Sequence, residues 1–317
     1  MKAIVTGAGG FVGANLVRYL LADGHEPHAV VRPAGNVWRL ADVSGDAPQV
    51  AVDLRDPVAV ERVVRDLRPD VIFHLAAHGA YSWQKDLDAM LSVNVRATEA
   101  LLVAARDVGA SLVHAGSSSE YGYQDHAPHE NERVNPNSHY ALTKVAATHL
   151  CRLAASTGDM QAVTLRLYSI YGPWEEPGRL MPTLVHRAAA GGWPPLVGPE
   201  IARDFVWVDD ACDAFVRAGT TALGDRGAVI NIASGIQTTL EGLVGTARRV
   251  LRVPVEPAWG SMPARSWDTS IWVGDPGLAE QLLGWKASTT LGAGLERMAA
   301  WFDEHPELAA RYETSTT

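Results

Sequence analysis

Tyr140 and Lys144 stand four residues apart in a stretch, 140–156, whose apolar spacing predicts a helix. Positions i and i+4 share a helix face, so phenol and ammonium point the same way. A tyrosine with its ordinary pKa near ~10 is a poor base at neutral pH. A neighbouring cation favours the phenolate. A serine hydroxyl can then hold a substrate oxygen while the phenol exchanges a proton with it. Gly116-Ser117-Ser118-Ser119-Glu120-Tyr121-Gly122 follows an apolar run, 111–115, and offers that serine. Ser117 and Ser118 are both candidates on position alone.

A second constellation binds rather than reacts. Thr6-Gly7-Ala8-Gly9-Gly10-Phe11-Val12-Gly13 follows the first apolar run and opens a helical pattern. Gly7 permits a tight turn, Gly10 lets the backbone approach a pyrophosphate, and Gly13 lets helix and strand pack closely. The helix start at Phe11 and Val12 offers unpaired N–H groups and a partial positive charge to phosphates. These are the marks of a dinucleotide site. NAD sites usually carry Asp or Glu at the end of the second strand. Here that strand ends Val30-Val31-Arg32-Pro33, with no carboxylate between Glu26 and Asp42. Arg32, assisted by Arg39, suits a 2′-phosphate, so the expected cofactor is NADP, with NAD as the alternative. Asp53-Leu54 follows a short strand and either meets the adenine edge or caps the helix before Pro57.

The elements that must position these groups alternate in a regular rhythm. Apolar runs at 2–5, 28–31, 49–52, 71–75, 111–115 and 162–167 read as buried strands. Helical patterns lie at 11–21, 58–67, 87–108 and 140–156. Strand–helix–strand repetition predicts right-handed crossovers and an α/β fold, a Rossmann-type doubly wound parallel sheet of about seven strands covered on both faces. Ligands in such folds sit at the carboxyl ends of the strands, where the glycine and serine turns fall. From about residue 172 the texture changes to prolines and tryptophans. The expected organisation is therefore a dinucleotide-binding domain over 1–171, with strand contributions from later segments, a smaller substrate-binding cap over 172–312, and a tail at 313–317. Eight of the ten tryptophans follow residue 170: Trp174, Trp193, Trp207, Trp259, Trp267, Trp272, Trp285 and Trp301. They read mostly as core, with one or two free to stack on a base or sugar.

Composition narrows the function classes. Lys and Arg total 27 and Asp and Glu 36 in 317 residues, a formal net charge of −9. That balance argues against a nucleic-acid binder, which carries a basic footprint. Cys151 and Cys212 are too few for a disulfide framework or a thiolate metal site, and no metal is expected. No apolar run reaches the ~18 residues of a membrane span, and the N-terminus lacks a signal-peptide pattern. The expectation is a cytoplasmic protein.

Taken together these residues resemble the extended short-chain dehydrogenase/reductase family of NAD(P)-dependent nucleotide-sugar epimerases, dehydratases and ketoreductases. The resemblance runs along nearly the whole chain. It covers the glycine fingerprint, His74-Leu75-Ala76-Ala77, Asn94-Val95, the serine cluster and the Tyr140/Lys144 pair. Arg166-Leu167-Tyr168-Ser169-Ile170-Tyr171-Gly172-Pro173, Arg203-Asp204-Phe205-Val206-Trp207-Val208-Asp209, Arg265-Ser266-Trp267-Asp268 and Leu283-Gly284-Trp285 complete it. It implies Ser117, Tyr140 and Lys144 as the catalytic trio, because the family serine or threonine precedes a Tyr-Gly pair by four residues, here Tyr121-Gly122. It implies cofactor contacts from Leu75, Ala76, Ala77, Asn94 and Tyr168. It also implies that Arg203 and Arg265 hold a nucleotide diphosphate, for which two guanidiniums are chemically apt. Homodimers are usual in the family.

Departures bear on the reaction. Family dehydratases carry an acid one or two positions after the catalytic hydroxyl, where this chain has Ser118 and Ser119. Glu120 comes one position later and faces away if the strand runs on. Ser169 replaces a usual asparagine, and His78, opening the segment to Trp83, should face the sugar as a second acid or base. With Arg32, this points first to an NADP-dependent reduction of a nucleotide-linked 4-keto sugar, with a C4-type nucleotide-sugar epimerase holding its NAD(P) as the alternative.

Overall fold

The structure is a computed structural model that describes residues 1–81, 83–265 and 268–313. Ser82, Ser266 and Trp267 of the segments singled out above, and the tail from residue 314, lie outside the described residues. Strand β1 (Lys2–Thr6) leads through the glycine turn into α1 (Phe11–Ala22), followed by β2 (Glu26–Val31), β3 (Gln49–Ala51), α2 (Pro57–Leu67) and β4 (Val71–His74). Next come α3 (Leu87–Met90) and α4 (Ala97–Val108), joined by a π-helical turn, Leu91–Arg96. Then follow β5 (Ser111–Ser117), α5 (His139–Thr157) and β6 (Ala162–Leu167). The later chain forms β7 (Ser169–Tyr171), α6 (Leu180–Ala189), β8 (Ala202–Trp207), α7 (Val208–Thr220), β9 (Val229–Ile232), β10 (Gln237–Thr239), α8 (Leu240–Val250), α9 (Gly277–Leu283), α10 (Leu291–Glu304) and α11 (Pro306–Glu313).

Seven strands form one sheet in the order β3-β2-β1-β4-β5-β6-β9, and every pairing in it is parallel. The chain reverses its direction of travel between β1 and β4, the switch point at which doubly wound sheets open a crevice. Strand periodicity explains the two-faced core. Ala3, Val5, Val71, Phe73 and Val113 face the layer of α1 and α7, whereas their neighbours Ile4, Ile72 and Leu112 face the layer of α2, α4 and α5. Both faces are covered, so the strands read as near-continuous apolar runs.

The later chain does not stay in one layer. After β7 and β8 it returns through α7, against α1, to lay β9 beside β6 as the seventh strand. A second sheet, β10-β8-β7, brings Ser169, Arg203 and Thr238 to the wall of the crevice. Trp174, Trp207, Trp285 and Trp301 are buried in the core, while Trp272 lines the crevice beside Arg203. Both cysteines are buried and unbridged.

Candidate active site

The crevice is one open groove of about 1960 Å³ along the carboxyl ends of β1, β4 and β5. Gly7, Gly10, Phe11, Val12 and Gly13 line one end. Gly7 has φ +68°, and a Cβ there would lie 2.6 Å from the Ala76 nitrogen. A Cβ on Gly13 would come within 2.3 Å of the Gly7 carbonyl. Neither position admits a side chain, so α1 starts hard against the β1–β4 edge. No side chain caps α1 at Gly10, which leaves its first N–H groups to face the groove. A cradle of backbone donors closed to side chains fits a dinucleotide pyrophosphate. Leu75, Ala76 and Ala77 continue the wall, as do Arg32, Asp53 and Leu54 at the far end.

Two of the expected cofactor residues do not reach the groove. Arg39 is buried, with Nε donating to the Trp174 carbonyl at 2.7 Å and Nη2 paired to Glu176 at 2.7 Å. Its guanidinium is spent tying the segment after β7 to the glycine turn, so it does not assist Arg32 at a 2′-phosphate. Asn94 is also buried, on the π-helical turn. Its amide accepts from the His78 N–H at 2.8 Å and donates to the His78 carbonyl and to Thr143 Oγ1. Asn94 therefore shapes the His78 loop and ties it to α5. Asp53 is not the helix cap, because Asp56 caps α2 through the N–H groups of Val58 and Ala59. Asp53 instead lines the groove and pairs with Arg55. Hydrogen bonds from Arg55, with Arg32 adding to the pull, hold its carboxyl at about 2.

The catalytic candidates converge in the middle of the groove. β5 runs to Ser117, two residues farther than its apolar run. A 3₁₀ turn, Ser118–Tyr121, then folds Glu120 back under the sheet. There its carboxylate, fully buried, accepts from the Ser117 N–H, Thr148 Oγ1 and Arg166 Nε at 2.9, 2.9 and 3.0 Å. Its inward turn thus leads to Arg166 and away from the groove. The Ser117 hydroxyl lies 2.7 Å from Ser119 Oγ. Ser138 caps α5 by accepting from the Ala141 N–H, which sets Tyr140 on the first turn and Lys144 one turn later. Burial pushes the Tyr140 phenol up to about 12, and the strongest opposing pull is a hydrogen bond with Ser117. Burial also lowers the Lys144 ammonium to about 8. Its Nζ lies 3.4 Å from Nε2 of His114 on β5.

Residues of the sugar-nucleotide side complete the groove. His78, Ser118, Tyr168, Ser169, Arg203 and Arg265 all line it. Arg203 sits near Trp272 and Asp268, 3.4 Å from the latter. Across from Tyr140, Arg179 influences the phenol and lies 3.8 Å from Glu175. Glu175 was not legible as a site residue. It is buried in the groove wall, one carboxyl oxygen has no partner, and burial raises it to about 8. Among the described residues no cluster of His, Cys, Asp or Glu could hold a metal ion, and no helix is long and apolar enough to cross a membrane.

Residues 3–233 match the model of a family described as the NAD dependent epimerase/dehydratase family. A UDP-glucose 4-epimerase of Mycolicibacterium smegmatis is 32% identical over 315 residues, covering 95% of this chain and 98% of that protein. A dTDP-glucose 4,6-dehydratase of Streptomyces griseus is 30% identical over 318 residues, covering 95% and 94%. Among solved structures, MoeE5 in complex with UDP-glucose and NAD superimposes with a TM-score of 0.83 at 28% identity, covering 96% of this chain and 100% of that one.

Proposed function

The chain belongs to the NAD dependent epimerase/dehydratase family, and from that premise we propose that it is a nucleotide-sugar 4-epimerase that keeps its NAD bound. The observation that carries this reading is the serine turn. It offers Ser117 beside Tyr140 but draws its one carboxylate, Glu120, under the sheet to Arg166. A hydroxyl and a phenol suffice to move a proton on and off one sugar oxygen. Elimination of water asks for a further acid beside them, and Ser118 and Ser119 supply none. The NADP-dependent reduction expected from Arg32 and Arg39 loses support because Arg39 is sealed against Glu176. The Asp53 carboxylate also brings negative charge close to Arg32, where a 2′-phosphate would bring more. NAD in a related structure supports the same choice.

A bound NAD supplies the acceptor for the C4 hydride and a positive charge beside the phenol. Tyr140 takes the C4 hydroxyl proton and returns it after the sugar has presented its other face. Ser117 holds the oxygen throughout. Lys144, buried below, would hold the cofactor's ribose hydroxyls with its ammonium. Arg203 and Arg265 hold the diphosphate as a pivot, and His78 and Ser169 border the sugar. Residues 1–171, with α7 and β9, carry the cofactor, and the other segments after residue 172 carry the nucleotide sugar. Leu142 and Leu153 on α5 and Val103 on α4, all exposed, suit the homodimer usual for the family.

The test is incubation of the purified protein with UDP-glucose and no added cofactor, followed by chromatography of the sugar nucleotides. Appearance of UDP-galactose supports the reading. Absence of any epimer from UDP- or dTDP-hexoses, with stoichiometric NADPH oxidation by a nucleotide-linked 4-keto sugar, overturns it in favour of reduction.

A further inference from the structure

Beneath Tyr140 and Lys144 lies a column of buried polar groups whose hydrogen-bond directions can be worked out. Thr98 Oγ1 donates to the Asn94 carbonyl at 2.7 Å, so its oxygen accepts from His74 Nε2 at 3.0 Å. His74 Nδ1 then accepts from Thr6 Oγ1 at 2.7 Å, and that same oxygen accepts from the Ala76 N–H. Both ring nitrogens of His74 are committed, and burial holds the ring far below its ordinary pKa, at about 3. His114 lies beside it, ring centroids 5.4 Å apart, and is fully buried. Its Nε2 meets the Lys144 ammonium, while its Nδ1 has no partner. An ammonium has only protons to give, so Nε2 must be the acceptor and the ring proton must sit on Nδ1. A buried N–H left unpaired is costly and calls for an explanation. It is explained if the other nitrogen has a task that fixes the tautomer.

We propose that His114 is a positioning residue for Lys144: braced by His74, its Nε2 accepts a hydrogen bond from one ammonium N–H and so directs the remaining two toward the groove. The inference rests on the reading of Tyr140 and Lys144 as the catalytic pair. Lys144 lines the groove yet is almost wholly buried, so an unheld ammonium could swing toward Glu120 under the turn. Glu120 is the carboxylate that acts on it, and its own bonds to Arg166 and Thr148 hold it back. The remaining groups near the ammonium are Cys151 on α5, a thiol that burial raises to about 12, and His74 on β4, which stays uncharged. None of these can hold the ammonium from below as His114 does.

Two measurements test this on the enzyme as purified. In the wild type, nitrogen-15 NMR of labelled histidine should show His114 as the uncharged Nδ1–H tautomer at pH 7. The Nε2–H tautomer there would overturn the proposal. The second is the pH dependence of kcat and KM for epimerisation in His114→Phe and His114→Gln. Loss of the acceptor disfavours the ammonium, so in His114→Phe the alkaline fall in kcat should move about one unit toward lower pH, a roughly tenfold weaker hold on the lysine proton. KM for the sugar nucleotide should stay unchanged. His114→Gln keeps a carbonyl acceptor and should restore most of the shift. An unmoved alkaline limb in both variants, with only melting temperature lowered, makes His114 a core residue and overturns the inference. Lys144→Met is the control for the reading beneath it. Full activity in that variant would sink the catalytic assignment, whereas a dead Lys144→Met beside an unaffected His114→Phe sinks the positioning role alone.

Discussion

Glu120 is the residue whose removal separates a structural carboxylate from a catalytic one. Its side chain accepts three hydrogen bonds, from Ser117 N, Thr148 Oγ1 and Arg166 Nε. Arg166 is itself buried, held over the Tyr121 ring at 4.4 Å, and has Glu120 as its ion-pair partner. Glu120→Ala leaves that guanidinium buried without its ion-pair partner and orphans the Ser117 N–H. Breaking a buried pair by removing one partner costs about 3–5 kcal/mol, and the lost N–H bond lies within that figure rather than adding fully to it. Glu120→Gln keeps the shape and an acceptor and should cost less, about 1.5–3 kcal/mol, the range for a hydrogen bond to a charged group. Urea denaturation of the three proteins measures both differences. Activity per folded molecule should fall only a few-fold in Glu120→Gln, because the carboxylate lies below the groove. A Glu120→Gln protein as stable as wild type but with kcat reduced a hundredfold would refute the reasoning, since the carboxylate would then be acting on substrate.

Tyr140→Phe removes the exchangeable proton and little packing. Turnover should fall by about 10²–10⁴-fold while calorimetric affinity for UDP-glucose survives. Arg203→Ala and Arg265→Ala should each weaken UDP-sugar binding by about 1.5–3 kcal/mol and leave the affinity for the dinucleotide unchanged, as titration of each ligand would report. NAD(H) should bind at least about tenfold tighter than NADP(H), about 1.4 kcal/mol, with Asp53→Asn narrowing the gap; a wild-type preference for NADP(H) would return Arg32 to a phosphate-binding role. Glu175 has a folded pKa raised to about 8, so the native state holds its proton more tightly than the unfolded chain does. Its contribution to stability is complete below about pH 4.5 and is lost as pH rises toward 8, by at most about 1.4 kcal/mol per pH unit. Glu175→Gln cannot ionise, so its melting temperature relative to wild type should be higher at pH 8 than at pH 5, and an equal difference at both would contradict this.

The fold was legible because its signals are local and repeated. Buried parallel strands must be apolar throughout, and the glycine turn needs glycine where Ala76 and the Gly7 carbonyl crowd the backbone. That Ser117, Tyr140 and Lys144 would line one groove was legible for the same reason, since the strand end and the first two turns of α5 fix them. What sequence spacing missed depends on where a side chain turns. Arg32 and Arg39 look alike on paper, yet the short helix at Trp38–Val43 rotates Arg39 inward to Trp174 and Glu176. Asn94 lies one residue from the groove-lining Val93, and the π-helical turn directs its amide to the His78 loop. Glu120 was read as facing away from the site if the strand ran on; it does lie away from the groove, but a 3₁₀ turn after Ser117 takes it there, and that turn has no marker beyond the serines themselves. His114 carried a readable signal, a histidine in an otherwise apolar buried strand, but its partner Lys144 is thirty residues away and only the β5–α5 packing joins them.

In the proposed reaction a single site removes the C4 hydrogen of a nucleotide sugar and restores it to the opposite face, with Tyr140 handling the proton. The most direct measurement is to supply UDP-glucose deuterated at C4 to the purified protein in ordinary water, without added cofactor, and to analyse the product by mass spectrometry and NMR. The expected product is UDP-galactose that retains deuterium at C4, with no such conversion above background in Tyr140→Phe. UDP-galactose with protium at C4, or undiminished conversion by Tyr140→Phe, would contradict it.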